Sequence, residues 1–372
     1  MSRPLLSASL IVRDEERHLE ACLRSLRGRV DEIVVVDTGS VDRSRDIARS
    51  FGAKVLERRW TGDFAAARNA SVDAAAGAWL LYIDADETLV AFDRDRVERE
   101  LADPGCVAYT VLFRPSAGYT RYREHRLFRN RPDLRFRGII HESLIPALDE
   151  IRARERLEVG ASGVALDHHG YGAEAAHKPA RDIPLLRRRL RSDPGHVYSW
   201  AHLGSALLAS GDEAAAEVAW RSGIAAARAS TTRTLADSLP HLHLARLLLD
   251  RRRDASDLIA EALRLFPGNH ALGWLAGRRL LESGLYDEAT PYFERLAAID
   301  AEGLEPGTLA YDASIFGANA HAALGLCAFR LGRFPESAAH YARAEALAPG
   351  NEAIRAKRLF AEARARSESA TG

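Results

Sequence analysis

Three short polar clusters in this 372-residue sequence could carry chemistry. The first is Asp84-Ala85-Asp86-Glu87, directly after the apolar run WLLYI. Carboxylates this close repel one another unless water or a cation lies between them, so the cluster is either a plain turn or a seat for positive charge. Asp84 and Asp86, at i and i+2 past a strand end, can turn their oxygens to one side, as a hard divalent cation requires. The second cluster is Asp37-Thr38-Gly39-Ser40, after EIVVV. Asp37 leaves the sheet edge there, Gly39 permits a tight turn, and Ser40 or Asp42 can cap the helix that follows. The third is Arg13-Asp14-Glu15, after SASLIV.

The elements around these clusters explain why they matter together. Up to about residue 150, short β-branched runs (SASLIV, EIVVVD, KVL, AWLLYID) alternate with amphipathic stretches (EERHLEACLRSLR, DRSRDIARSFG). This alternation predicts an α/β domain with a mainly parallel sheet. Ligands of such sheets bind at the carboxyl ends of the strands, and all three clusters fall there. A carboxylate at Asp37 can accept hydrogen bonds from a uracil ring or ribose hydroxyls. A cation held at Asp84 and Asp86 could bridge to a nucleotide diphosphate and offset the charge that builds as it leaves.

From about residue 180 the strands stop and alanine, leucine and arginine recur at helical spacing. WAHLGSALLASGDEAAAEVAW, GRRLLESGLYDEATPYF and LGLCAFRLGRFPESAAHYARAEALAPG place small and large residues in the pattern of a tetratricopeptide repeat, and HLARLLLDRRRDASDLIAEALRLFP is a weaker copy. Taking Gly204, Leu244, Gly277 and Gly325 as equivalent gives intervals of 40, 33 and 48 residues, against a period of about 34 for this repeat type. Stacked helix pairs of this kind build concave surfaces that take a peptide or another protein.

Composition narrows the function classes. With 52 basic and 52 acidic residues the formal charge is zero, which argues against a nucleic-acid binder steered by a basic surface. The stretch YREHRLFRNRPDLRFR is basic with interleaved aromatics, and we read it as an exposed hairpin or a contact for an anionic ligand rather than an RNA-binding surface. Cys22, Cys106 and Cys327 show neither metal-ligand nor disulfide spacing. No segment approaches the roughly 18 apolar residues of a membrane helix, and the N-terminal apolar run is too short for a signal peptide. The expectation is a soluble, cytoplasmic protein of two domains, residues 1–175 and 176–372.

Residues 6 to about 180 resemble the family 2, GT-A fold glycosyltransferases through SLIVRDEERHLEACLRSL, DEIVVVDTGSVDRS, DFAAARNAS and WLLYIDADE. The helical half resembles the tetratricopeptide domain fused to such enzymes in the branch that includes bacteriocin S-glycosyltransferases and flagellin glycosyltransferases. The resemblance implies a GT-A, Rossmann-like domain followed by an all-α repeat domain. It also implies inversion at the anomeric carbon, a nucleotide-sugar donor and Mg2+ or Mn2+. Carried over, Asp37 contacts the uridine, Asp86 is the principal metal ligand, and Asp84 contacts the ribose or the metal. Asp14 joins the donor side, and Arg68 and Asn69 match the pair placed near the diphosphate. His141 and Glu142, in RFRGIIHESL, match a His-Glu whose carboxylate would be the general base, although a glutamate at a helix start also suits the helix dipole. ALDHHGYGAEAAHKPARD supplies His168 for the metal, Tyr171 in a His-x-Gly-Tyr pattern, and Lys178 and Arg181 for the diphosphate.

Three functions fit this sequence. One is transfer of sugar to a peptide or protein side chain, with the repeats holding the acceptor or pairing two copies. A second keeps the donor and changes the acceptor to a lipopolysaccharide-core or other glycan. The third is a non-catalytic repeat scaffold, against which the intact Asp37, Asp84 and Asp86 argue.

Overall fold

The computed structural model describes residues 4–169 and 178–371. Tyr171, and the junction expected at 175/176, lie outside the described residues. The chain divides into two compact units. The first comprises residues 1–117, 121–194 and 206–213, and the second residues 118–120, 195–205 and 214–372.

The first unit is built on an eight-stranded mixed sheet. Its strands are β1 (Leu6–Val12), β2 (Glu32–Asp37), β3 (Lys54–Glu57), β4 (Trp79–Tyr82), β5 (Glu87–Ala91), β6 (Cys106–Arg114), β7 (Tyr122–Arg129) and β8 (Glu158–His168), in the order β3-β2-β1-β4-β7-β6-β8-β5. The β3-β2-β1-β4 half is parallel, as the alternating pattern requires, with Val12 paired to Asp37 at the carboxyl end. Beyond β4 the sheet continues with antiparallel β4–β7, β7–β6 and β8–β5 pairs. Of the two readings of this stretch, an exposed hairpin or a contact for an anionic ligand, the exposure in the first is corrected: YREHRLFR is β7, paired antiparallel with β6 but interior to the sheet, between β4 and β6. Its arginines mislead because they are neutralised within the fold. Arg126 is 5% exposed, and Arg129 lies over the Trp79 ring at 4.6 Å and donates to Cys106 O at 2.7 Å.

Helices cover both faces of this sheet. On one face Leu6, Ala8, Leu10 and Val12 meet α1 (Leu19–Leu26), α2 (Ser44–Ser50) and α4 (Arg94–Ala102). Leu19, Cys22, Leu23 and Leu26 recur at helical spacing and are fully buried, each leucine contributing about 1.5–3 kcal/mol. On the other face Val34, Leu80, Val107 and Phe128 meet α3 (Phe64–Ala74) and α5 (Ile145–Glu155). Helix α3 starts where Asp63 accepts from Ala66 N–H at 2.9 Å. It approaches β1 closely because β1 offers serines on this side, with Ser9 Oγ and Ser71 Oγ 2.5 Å apart. Helix α6 (Lys178–Ser192) belongs to this first unit as well.

The second unit is all helical in its regular elements. Pairs α7 (Val197–Ala209) and α8 (Glu213–Ala229), α9 (Leu239–Asp250) and α10 (Ser256–Leu265), α11 (His270–Glu282) and α12 (Tyr286–Ala297), and α13 (Ala318–Arg330) and α14 (Phe334–Leu347) precede a last helix, α15 (Glu352–Thr371). Three of the pairs repeat one contact. A Cβ added to Gly204, Gly277 or Gly325 would stand within 2.2, 2.9 and 3.0 Å of Trp220, Phe293 and Tyr341, the aromatic residue sixteen positions later in each case. The first ring is held in place by its own hydrogen bond, Trp220 Nε1–H to Ala201 O at 3.0 Å. The fold thus has the α/β and helical-repeat organisation expected of it.

Two predictions follow from the helical unit. Gly204→Ala drives a methyl into a ring that is hydrogen-bonded in place and should cost about 1–3 kcal/mol in urea unfolding. Gly273→Ala, also in a helix but with nothing within 4 Å, should be neutral or stabilise by up to about 1 kcal/mol; equal effects would reject the packing account. The second concerns acid. Burial, helped by His202 and Arg246, pushes His243 down to about 4, and His241, His270 and His321 are lowered in the same direction by burial. The unfolded chain binds these protons first, near the ordinary value of about 6.5, so the contribution is present above that pH and lost as pH falls toward 4. For His243 the loss between pH 7 and pH 5 should be about 2 kcal/mol, and His243→Phe should flatten the pH dependence of unfolding by that amount.

Candidate active site

Asp37 closes β2 with a carboxylate only 2% exposed. Its Oδ1 accepts from Gly39 N–H and Ser40 N–H, each at 3.1 Å, and its Oδ2 is buried with no hydrogen-bond partner in the protein. A cavity of about 540 Å³ opens beside it, lined by Arg13, Asp37, Thr38, Gly39, Arg58 and Trp60 among others. The loops after β1 and β2 are laced together around this edge. Asp14, at φ 55°, donates its N–H to Ser40 Oγ at 3.0 Å and accepts from Val41 N–H at 2.7 Å. Asp42 accepts from Glu16 N–H and Ser44 N–H, each at 2.9 Å. Asp14 and Asp42 thus tie the loops after β1 and β2 together, while Asp37 lines the cavity with one oxygen unpaired.

The cluster after β4 separates into two arrangements. Asp84 turns inward: its Oδ1 accepts from Arg68 Nη2–H at 2.7 Å, and its Oδ2 is 3.7 Å from Arg126. Burial opposes its charge, but Arg68 and Arg126 overcome this and hold its carboxyl at about 2. Glu87 does not face the edge with the aspartates. It is 1% exposed, accepts from Arg126 at 3.0 and 3.2 Å, and accepts from Asp84 N–H at 2.9 Å. Tyr82 lies between the two guanidiniums, its ring 4.7 Å from Arg68 and 4.3 Å from Arg126. Arg126 and Tyr82 are the members of the site that sequence reasoning missed; the signal for Arg126 was its place in the apolar-flanked YREHRLFR, which reads equally well as surface.

Asp86 takes the other direction, its Oδ2 3.1 Å from His168 Nε2. The second ring nitrogen, Nδ1, is 3.1 Å from Pro115 O; donation of Nδ1–H to that carbonyl directs Nε2 at the carboxylate. Burial would raise the Asp86 carboxyl and lower the imidazole, and the contact between them reverses both. Among the described residues no group of three His, Cys, Asp or Glu side chains is set to hold a metal ion. The donor set that exists is the Asp86–His168 pair with Asp84 two residues away. An imidazole fixed through its other nitrogen to a backbone carbonyl, facing a carboxylate, is a donor set that suits a divalent ion.

Glu142 comes from a tightly closed loop. Arg137 and Ser143 exchange both backbone hydrogen bonds at 3.0 Å, and His141 inside the loop has φ 51°. Helix α3 grips this loop at three points. Phe64 N–H donates to Ile139 O at 2.9 Å. Asn69 donates to Phe136 O at 3.0 Å and accepts from Phe136 N–H at 2.8 Å. Arg68 Nε–H donates to Glu142 Oε1 at 2.6 Å. Glu142 therefore answers to Arg68, and α5 begins only at Ile145, so the helix-dipole alternative does not describe it. Asn69 is a backbone clasp. Arg68, 6% exposed and held well above the ordinary arginine value by Asp84 and Glu142 against its burial, joins the turn after β4 to the loop and keeps Nη1 buried without a partner.

Lys178 and Arg181 open α6. The Lys178 charge acts on both Asp86 and His168. Arg181 pairs with Asp182 at 2.7 Å and lies over the Phe64 ring at 5.2 Å. The structure thus brings together Arg68, Asp84 and Glu142, and separately Asp86 with His168 and the Lys178 charge, while Asp37 lines a cavity and Asp14 braces the loop that follows Asp37.

Residues 7–151 match the family described as Glycosyl transferase family 2, and residues 318–351 match the Tetratricopeptide repeat. A TPR repeat-containing protein of Synechococcus elongatus is 39% identical over 220 residues, covering 57% of this chain and 54% of its own length. The prophage-derived glycosyltransferase SunS of Bacillus subtilis is 25% identical over 202 residues, covering 51% and 46%. The chain spans about half the length of these curated relatives. Among solved structures, glucosyl-3-phosphoglycerate synthase from Mycobacterium tuberculosis, in complex with Mn2+ and UDP-glucose, aligns at 19% identity and a TM-score of 0.36 over 50% of this chain and 79% of that one. No helix among the described residues is long and apolar enough to cross a membrane. The chain carries a family 2 glycosyltransferase domain, followed by a region of tetratricopeptide repeats.

Proposed function

We propose that the chain is an inverting glycosyltransferase that moves a sugar from a nucleotide-sugar donor, a UDP-sugar, to a Ser or Thr hydroxyl or a Cys thiol of a peptide or protein. The observation that carries the reading is Asp37 Oδ2, a buried carboxylate oxygen without a partner beside a 540 Å³ cavity at the carboxyl end of a parallel strand. Leaving such an acceptor unsatisfied costs about 1–3 kcal/mol, and the imide N–H of uracil is a donor that would satisfy it. The repeat region would hold the acceptor or pair two copies of the chain.

Asp86 and His168, with Asp84 behind them, are the residues that would hold Mg2+ or Mn2+. When bound, the ion would offset charge on the departing diphosphate. The chain's own groups supply the rest. Arg68 Nη1 can donate to a diphosphate oxygen, and Lys178 adds positive charge near Asp86. Glu142, oriented by Arg68, takes the acceptor's proton as its oxygen or sulfur bonds the anomeric carbon and the bond to the diphosphate breaks. Asp14 keeps the donor loops in register.

Calorimetric titration with UDP-, GDP- and dTDP-sugars, with and without Mn2+, tests the donor half of this reading. Metal-dependent binding of a UDP-sugar is expected, weakened about tenfold or more by Asp86→Ala and by Asp37→Ala, the latter corresponding to about 1.4 kcal/mol. A folded protein that binds none of these donors would leave the scaffold reading in its place. Glu142→Gln tests the base: donor affinity should stay the same while sugar transfer falls about 10²–10⁴-fold, and an unimpaired variant would remove Glu142 from that role.

A further inference from the structure

Helix α6 carries a residue that this mechanism does not use. Arg189 sits against the loop that presents Glu142, at the one position where that loop has no side chain. A Cβ on Gly138 would lie 1.7 Å from Arg189 Nη1 and 2.8 Å from its Cζ, so the guanidinium occupies the space that the missing side chain leaves. Gly138 also has φ 104°, a conformation that other residues rarely take. The adjacent Arg188 donates to Gly62 O, just ahead of α3. Two consecutive arginines of α6 therefore hold the approach to α3 and the Glu142 loop that α3 grips.

Packing alone does not account for an arginine here. Its Nε is buried with no hydrogen-bond partner, a cost of about 1–3 kcal/mol that an aliphatic side chain of similar reach would avoid. Burial lowers its guanidinium from the ordinary arginine value, against the opposing charges of Asp193, just past the end of α6, and Glu142. Arg68 holds Glu142 by a single hydrogen bond, to Oε1, and the loop that presents Glu142 meets Arg189 at Gly138.

We propose that Arg189 is a positioning residue for Glu142: seated in the space left by Gly138, it locks the 137–143 loop that carries the carboxylate. This rests on Glu142 being the general base for its catalytic consequence, but the lock itself does not. In contrast to Arg68, which reaches Asp84 as well, Arg189 acts through Glu142 alone. Lys178 and Arg181 on the same helix serve other neighbours.

Two measurements on the full chain decide this. Hydrogen exchange across residues 137–143 should be about tenfold faster in Arg189→Gln and in Gly138→Ala than in wild type, with the β1, β2 and repeat-region amides unchanged and thermal unfolding still cooperative. Unchanged exchange in that loop would overturn the lock. Hydrolysis of UDP-glucose with MnCl2 reads the positioning: the bond from C1 to the diphosphate oxygen breaks, the water oxygen bonds C1, and the water's proton passes to Glu142 and then to solvent. Arg189→Gln should lower kcat about tenfold with KM for UDP-glucose unchanged, Arg189→Lys should recover part of the loss, and in a Glu142→Gln background the Arg189 change should have no further effect. Additive losses would overturn the claim that Arg189 works through Glu142. If wild type neither binds UDP in the presence of MnCl2 nor turns over UDP-glucose, the transferase reading fails, and the exchange data still decide whether Arg189 locks the loop.

Discussion

A guanidinium that is almost wholly removed from water organises this molecule. Arg68 is 6% exposed, and taking such a charge out of water costs several kcal/mol unless carboxylates and hydrogen bonds answer it. Asp84 and Glu142 answer it, one from the turn after β4 and one from a loop nearly sixty residues further along the chain. Tyr82 offers its ring face between Arg68 and Arg126, which adds an electrostatic attraction at desolvated positions. The turn that carries Asp86, the helix that carries Asn69 and the loop that carries His141 and Glu142 are thereby fixed against a common centre. None of these carboxylates could keep its direction if that centre were absent.

Part of this was legible in the sequence because strand ends are local events. EIVVVD followed by TGS, and WLLYI followed by DADE, place Asp37, Asp84 and Asp86 on one edge of a parallel sheet by pattern alone. What stayed hidden was pairing across the chain. Nothing in IIHESL announces that Glu142 will meet Arg68, which lies 74 residues earlier, and nothing in DADE announces that Glu87 will turn inward to Arg126. Strand β7 was misread for the same reason. Arginines at every third position signal a solvated stretch until partners such as Glu87, Glu124 and the Trp79 ring are known.

The repeat region was legible for the opposite reason, since its defining contact is set by spacing. Glycines 204, 277 and 325 each face an aromatic ring sixteen residues on, and the sequence displays both partners. The irregular intervals of 40, 33 and 48 residues between repeats are absorbed outside those contacts, for example in the segment between α12 and α13, where Tyr311, Ile315 and Phe316 form their own small core. A helix pair keeps its geometry as long as the glycine and the ring stay in register.

Composition and contact disagree about where the catalytic half stops. By composition the helical region begins at about residue 176, yet Arg188 is bonded to Gly62, Arg189 is pressed onto Gly138 and Arg181 lies over Phe64. Helix α6 is thus the last wall of the α/β unit although it reads like the first member of the solenoid. Any exchange of repeat arrays between relatives, by recombination or in the laboratory, would have to join the new array after Ser192. A junction placed at the change in composition would graft a foreign helix onto the loop that carries Glu142.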